Sequence, residues 1–159
     1  MRRMRFAALF CGLIVILGAC AEDTPTVEEP EATTEPTAEA MDDATVVVAD
    51  SEDHGEILAD AEGMTLYVFL MDTAGKSNCA DTCAQTWPPL TVDGDATAGE
   101  GADEAKLDTI ERADGDTQVT YNDKPLYTYS GDTAAGETKG QGVGENWYVV
   151  SPEGEPVKE

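Results

Sequence analysis

Hydrophobic and polar positions divide this chain into three regimes. Residues 6–17 form an apolar run broken only by Gly12. Residues 22–44 hold Asp, Glu, Thr, Pro and Ala, with Val27 and Met41 as the only large apolar side chains, and such a stretch cannot bury a core. From Thr45 onward, short β-prone runs alternate with turns rich in Gly or Asp. They fall at 45–49, 56–59, 65–70, 90–92, 107–112, 117–121, 126–130 and 147–151. No long stretch carries helical periodicity. Within 65–70 the two-residue period places Tyr67 and Phe69 on one face, and Tyr127 and Tyr129 repeat the arrangement. The sequences Asn122-Asp123-Lys124 and Ala113-Asp114-Gly115-Asp116 read as tight turns between strands.

The third regime is internally duplicated. A gapless shift of 60 residues lays Gly55 on Gly115, Leu66-Tyr67 on Leu126-Tyr127, Asp72-Thr73-Ala74 on Asp132-Thr133-Ala134, and Trp87 on Trp147; Phe69 falls on Tyr129. The domain expected over 45–159 is therefore two related halves, about 45–92 and 105–152, joined by the Gly- and Asp-rich stretch 93–104. The fold class follows: all-β, each half roughly four-stranded, the two forming a compact, mostly antiparallel sandwich or barrel with pseudo-twofold character.

The first two regimes give an address. Arg2, Arg3 and Arg5 precede the apolar run, which is the pattern of an export signal and falls short of the roughly 20 apolar residues of a membrane-spanning helix. The run ends in Leu17-Gly18-Ala19-Cys20, which resembles the lipobox of bacterial lipoproteins. That resemblance implies cleavage of residues 1–19 by signal peptidase II and acylation of Cys20, with palmitate-type chains as the membrane anchor. Residues 20–44 then form an acidic, extended tether holding the domain off the bilayer. The expected location is the exported side of the cell membrane or the outer membrane. Ala21 after Cys20 favours the outer membrane where there are two.

Charge narrows the partners. The whole chain has 33 acidic and 9 basic side chains. Three of the nine leave with the signal and no acid precedes Cys20, so 6 face 33 in the mature protein, a net charge of −27. Such a surface repels nucleic acid and anionic headgroups, leaving the lipid anchor as the membrane contact and the protein or small-molecule partner open.

The segments 66–72 and 126–132 both fit Tyr-x-(Phe/Trp/Tyr)-x-x-Asp, carried by Tyr67, Phe69 and Asp72, then by Tyr127, Tyr129 and Asp132. Cys79-Ala80-Asp81-Thr82-Cys83 runs into Trp87-Pro88-Pro89. The chain in this respect resembles the family of bacterial secreted-repeat lipoproteins with that motif, a family of unassigned function. Physically, two aromatic side chains two apart bury a large area on one face of a strand. An Asp three further on accepts backbone N–H bonds where the strand turns, or meets its repeat-mate at a cation or a sugar.

Cys11 leaves with the signal and Cys20 takes lipid, so Cys79 and Cys83 remain in an oxidising compartment, where a disulfide is the expected state. The alternative is redox, electron-transfer or copper-handling work by the Cys79/Cys83 pair, because two nearby thiols suit a soft metal. The chain's one histidine, His54, sits in a turn beside Gly55. Asp93, Asp95, Thr97 and Glu104 imitate the spacing of a calcium loop, but Ala98 stands where its turn needs glycine. No catalytic constellation assembles. The sequence thus predicts a non-enzymatic binding or structural module without cofactor, and a ligand-binding role predicts a cleft lined by Tyr67, Tyr127, Trp87 and Trp147.

Overall fold

The computed structural model describes residues 45–158. The export segment, Cys20 and the acidic tether lie outside the described residues. Within them the architecture is all-β with almost no helix. The strands are β1 (Val47–Ser51), β2 (Gly55–Ala59), β3 (Tyr67–Phe69), β4 (Leu107–Glu111), β5 (Thr117–Tyr121), β6 (Lys124–Pro125) and β7 (Trp147–Val149). One short helix, α1 (Thr82–Thr86), follows β3. No described helix is long and apolar enough to cross a membrane.

Pairing is antiparallel throughout the named strands. β1 and β2 form one hairpin, and β4, β5 and β6 form a three-stranded sheet. β3 of the first half pairs with β7 of the second, with Tyr67 opposite Val149 and Phe69 opposite Trp147. The expected all-β, mostly antiparallel architecture of two related halves is what forms; its sheets are small and none closes into a barrel. The runs at 90–92 and 126–130 are also not continuous strands. They are tied by single bridges, Thr91 to Gln118, Pro89 to Tyr127 and Tyr67 to Tyr127. Pro88 and Pro89 have no N–H to give, so the first-half counterpart of β7 cannot build a full ladder.

The pseudo-twofold is visible bond by bond. Tyr67 N donates to Tyr127 O at 2.8 Å and Tyr127 N to Tyr67 O at 3.0 Å, a reciprocal pair at the junction of the halves. Leu70 N to Asn146 O (2.8 Å) is mirrored by Ser130 N to Thr86 O (2.9 Å). The hairpins, however, run one residue out of step with the gapless shift. Leu66 N donates to Leu58 O and Leu126 N to Val119 O, so Leu58 answers Val119, and Gly55 answers Asp116 rather than Gly115. A one-residue slip within a strand would turn its core face outward; here the extra residue enters before the second hairpin and is removed in the connection after it. The faces are thereby preserved.

Two large clusters form most of the core, beside a small one of Val47 and Ala59. One gathers Val46, Leu58, Leu66, Val68, Val119, Tyr121, Leu126 and Val150. The other gathers Ile57, Tyr67, Cys79, Trp87, Tyr127, Trp147 and Val149, with Phe69, Cys83 and Tyr129 packed against it. Alternation along β3 sends Leu66 and Val68 to the first and Tyr67 and Phe69 to the second, and 126–129 does the same, so both segments are walls between two cores. The turn Asn122-Asp123 has φ of 50° and 62°, the left-handed pair that a two-residue hairpin requires between β5 and β6.

Candidate functional site

The motif residues meet at the pseudo-twofold, and each motif is completed by the other half. Tyr67 lies at the start of β3 with no exposed surface, and its hydroxyl donates to Asp132 Oδ2 at 2.7 Å. Tyr127, equally buried, donates to Asp72 Oδ2 at 2.6 Å. The second oxygen of each carboxylate serves the turn after its own strand: Asp72 Oδ1 accepts Asn78 N at 2.6 Å, and Asp132 Oδ1 accepts Lys139 N at 2.9 Å. The aspartates are turn acceptors, as their position after a strand suggests, and they also accept across the domain, Asp132 buried and Asp72 partly exposed.

Electrostatics follow from this enclosure. Burial first, then the tyrosine and backbone hydrogen bonds acting against it, leaves the carboxyls of Asp72 and Asp132 above their ordinary range. Burial, reinforced by the adjacent carboxylate, pushes the Tyr67 and Tyr127 phenols well above the usual tyrosine value. Both phenols therefore hold their protons and aim them at a carboxylate oxygen.

The rings fill the space between the halves. Trp87 and Trp147 stack with centroids 3.9 Å apart and planes 2° apart. Phe69 stacks on Trp147 at 4.3 Å, and Tyr129 lies tilted by 32° against Trp87 at 4.4 Å. Tyr67 meets Trp87 edge-on at 5.3 Å and Tyr127 meets Trp147 edge-on at 5.1 Å. The order Phe69, Trp147, Trp87, Tyr129 alternates between halves. The anticipated cleft is filled by its own lining, since the four rings expected to line it are each no more than 5 % exposed. Cavities lie elsewhere: one of about 410 Å³ lined by Phe69, Leu70, Thr73, Lys124 and Pro125, among others, and one of about 600 Å³ beside the cysteine loop.

That loop breaks the symmetry. Cys79 and Cys83 are joined as a disulfide with Cα atoms 5.2 Å apart; Cys79 is fully buried and Cys83 partly exposed. Cys83 opens into α1, whose preceding residue, Asp81, has φ 52° and gives no side-chain cap, so the helix is held by the disulfide and by Trp87 N bonding to Cys83 O. Beneath the loop lies Arg112, 7 % exposed. Its guanidinium donates to Ser77 Oγ (2.8 Å), Gln118 Oε1 (2.7 Å), Cys79 O (2.9 Å) and Asp114 Oδ2 (3.3 Å). Ser77 continues the chain to Tyr127 at 2.8 Å, hence to Asp72. The other half has Gly140 instead, whose N–H donates to the Tyr67 hydroxyl at 3.2 Å. A Cβ at Gly140 would fall 2.8 Å from both the Trp87 and Tyr67 rings, so glycine there is a packing requirement.

Arg112, Ser77, Gln118 and Gly140 are not among the candidates read from the sequence. One signal was available, because Arg112 is the only arginine after Arg5 in a very acidic chain. Other candidates stay apart. His54 sits between β1 and β2 with Nδ1 enclosed and unpartnered. In the 93–104 stretch, the Glu104 carboxylate accepts Ala98 N at 2.8 Å. Among the described residues no group of three or more His, Cys, Asp or Glu is arranged to hold a metal ion.

Comparison with known proteins agrees with the duplication. A family model described as a secreted repeat of unknown function matches the chain twice, over 48–91 and 108–151, at the same 60-residue offset. No curated protein and no solved structure matches it. The two matches cover more than half of the 159 residues and contain every motif residue described above, and the chain belongs to the family of secreted repeats of unknown function.

Proposed function

We propose that this exported protein is a lipid-anchored envelope module, held to the membrane by acyl chains on Cys20, whose domain acts by presenting a rigid surface rather than by catalysis. The observation that carries this reading is the inward engagement of the repeated residues. Tyr67, Tyr127, Asp72, Asp132, Trp87 and Trp147 bond and stack with one another across the halves, so the features shared by both repeats hold the domain together. Family membership makes the chain an exported protein of unassigned activity. The anchor rests on the Leu17-Gly18-Ala19-Cys20 pattern. Redox or copper work at the cysteine pair has less support, because copper(I) ligation by Cys79 would require a fully buried sulfur to leave the aromatic cluster and the Arg112 clamp.

The test is metabolic labelling with a clickable palmitate analogue in a host that processes lipoproteins. The wild-type chain is expected to take label and enter the detergent phase, and Cys20→Ser to do neither. Equal phase partitioning of the two, without label, rejects the anchor.

A further inference from the structure

Two features of the ring cluster invite chemistry as well as packing. Two indoles lie 2° from parallel at 3.9 Å, with Phe69 stacked on Trp147 at 4.3 Å and Tyr129 tilted against Trp87 at 4.4 Å, so four rings are in continuous contact. In addition, each indole is met edge-on by a phenol whose proton points at a carboxylate 2.6–2.7 Å away. The turns use only Oδ1 of each aspartate, while desolvating a carboxylate, nearly fully at Asp132 and in part at Asp72, is a cost that phenylalanines at the tyrosine sites would not require. Each half thus holds a readily oxidised indole, a phenol in contact with it, and a base for the phenol's proton.

We propose that this cluster is a proton-coupled one-electron donor, giving an electron to an external high-potential one-electron oxidant and storing the hole on Tyr67 or Tyr127. The oxidant approaches at Tyr129, the partly exposed end ring of the four. It removes one electron from the stacked Trp87 and Trp147, and the radical cation is shared between the two stacked indoles. Tyr67 or Tyr127 returns an electron to the indole, and in the same step its phenolic proton crosses to Oδ2 of Asp132 or Asp72. The products are the reduced oxidant, two closed-shell indoles, one neutral tyrosyl radical and one protonated aspartate. The reacting pair ends neutral, since its phenol and carboxylate become a radical and a carboxylic acid. This activity is independent of how the chain is anchored, and it uses the motif residues rather than Cys79 and Cys83.

The experiment is flash photo-oxidation of the full chain in detergent micelles with a ruthenium polypyridyl complex, read by transient absorption and by electron paramagnetic resonance after freeze-quenching. Wild-type protein is expected to show an indole radical that decays into a neutral tyrosyl signal, with the decay slowed severalfold in D2O. Tyr67→Phe with Tyr127→Phe is expected to abolish the tyrosyl signal and leave the hole on tryptophan, and Asp72→Asn with Asp132→Asn to do the same while keeping an acceptor for each turn. Tyr148→Phe, a partly exposed tyrosine outside the ring cluster, is expected to change nothing. The wild-type isotope measurement does not depend on any variant folding. An isotope-independent decay, or a tyrosyl signal that disappears in Tyr148→Phe and survives in the double tyrosine variant, overturns the proposal.

Discussion

The two tyrosine–aspartate bonds look equivalent in the sequence and differ in their surroundings. Asp132 is only 6 % exposed and its tyrosine also accepts Gly140 N–H, so Tyr67→Phe strands a buried carboxylate oxygen and a backbone donor together. Asp72 is partly exposed and can turn its oxygen to water, and Ser77 keeps its Arg112 partner, when Tyr127 becomes Phe. A hydrogen bond to a charged group contributes about 1.5–3 kcal/mol, with the upper end reserved for partners that water cannot reach. Chemical denaturation is therefore expected to show Tyr67→Phe costing about 3 kcal/mol and Tyr127→Phe about half that. A double-mutant cycle of Tyr67→Phe with Asp132→Asn should return most of the larger loss as coupling, because the two side chains share one interaction. Equal losses would mean that Asp132 reaches solvent in the native state.

At the scale of elements, the cysteine loop is held more by a side chain from the other half than by its own covalent link. A disulfide closing so short a loop restricts the unfolded chain by about 2 kcal/mol. Arg112 joins the end of β4 to Ser77, Gln118 and the Cys79 carbonyl with a planar fork, and its removal takes a charged donor from all three, leaving Ser77 with Tyr127 and the Cys79 carbonyl with a longer bond from Ser77. Lysine, a point charge on a flexible stem, cannot serve three directions at once. Arg112→Lys is thus expected to lower stability by about 3 kcal/mol, more than reduction of the disulfide does, as read by urea unfolding of oxidised variant against reduced wild type. The opposite order would make the disulfide the principal clasp. Legibility divides along the same line. Most strand positions, the Asn122-Asp123 turn and the repeat are legible because alternation and turn chemistry act within a few residues. Arg112 acts on residues 33 and 35 positions away in sequence, and Pro88 and Pro89 suppress a ladder that β-propensity alone would have allowed. The one-residue offset of the hairpins was hidden because a compensating deletion restores the gapless shift at Leu66 and Leu126.

For the whole molecule, reciprocity has a thermodynamic consequence. Neither half contains a complete version of its own motif: the first supplies Tyr67, Asp72 and Trp87, and each finds its partner in Asp132, Tyr127 and Trp147. A half alone would expose one face of a tryptophan, leave a tyrosine without its carboxylate, and offer β3 or β7 as an unpaired edge. A separate segment of that size retains too little core to offset chain entropy. Joined through 93–104, the halves meet at an effective concentration that a short tether raises to the millimolar range, about what a marginal interface needs. Chains cut within 93–104 are therefore expected to be unfolded singly and to fold when mixed, with near-ultraviolet circular dichroism from the Trp87–Trp147 stack appearing only in the mixture and growing with concentration. Trp147→Ala in the second fragment should abolish the signal and weaken assembly, since it removes the ring that contacts Trp87, Phe69 and Tyr127 together. A first fragment that unfolds cooperatively by itself would instead show that the duplication joined two independently stable units, with the reciprocal bonds added later.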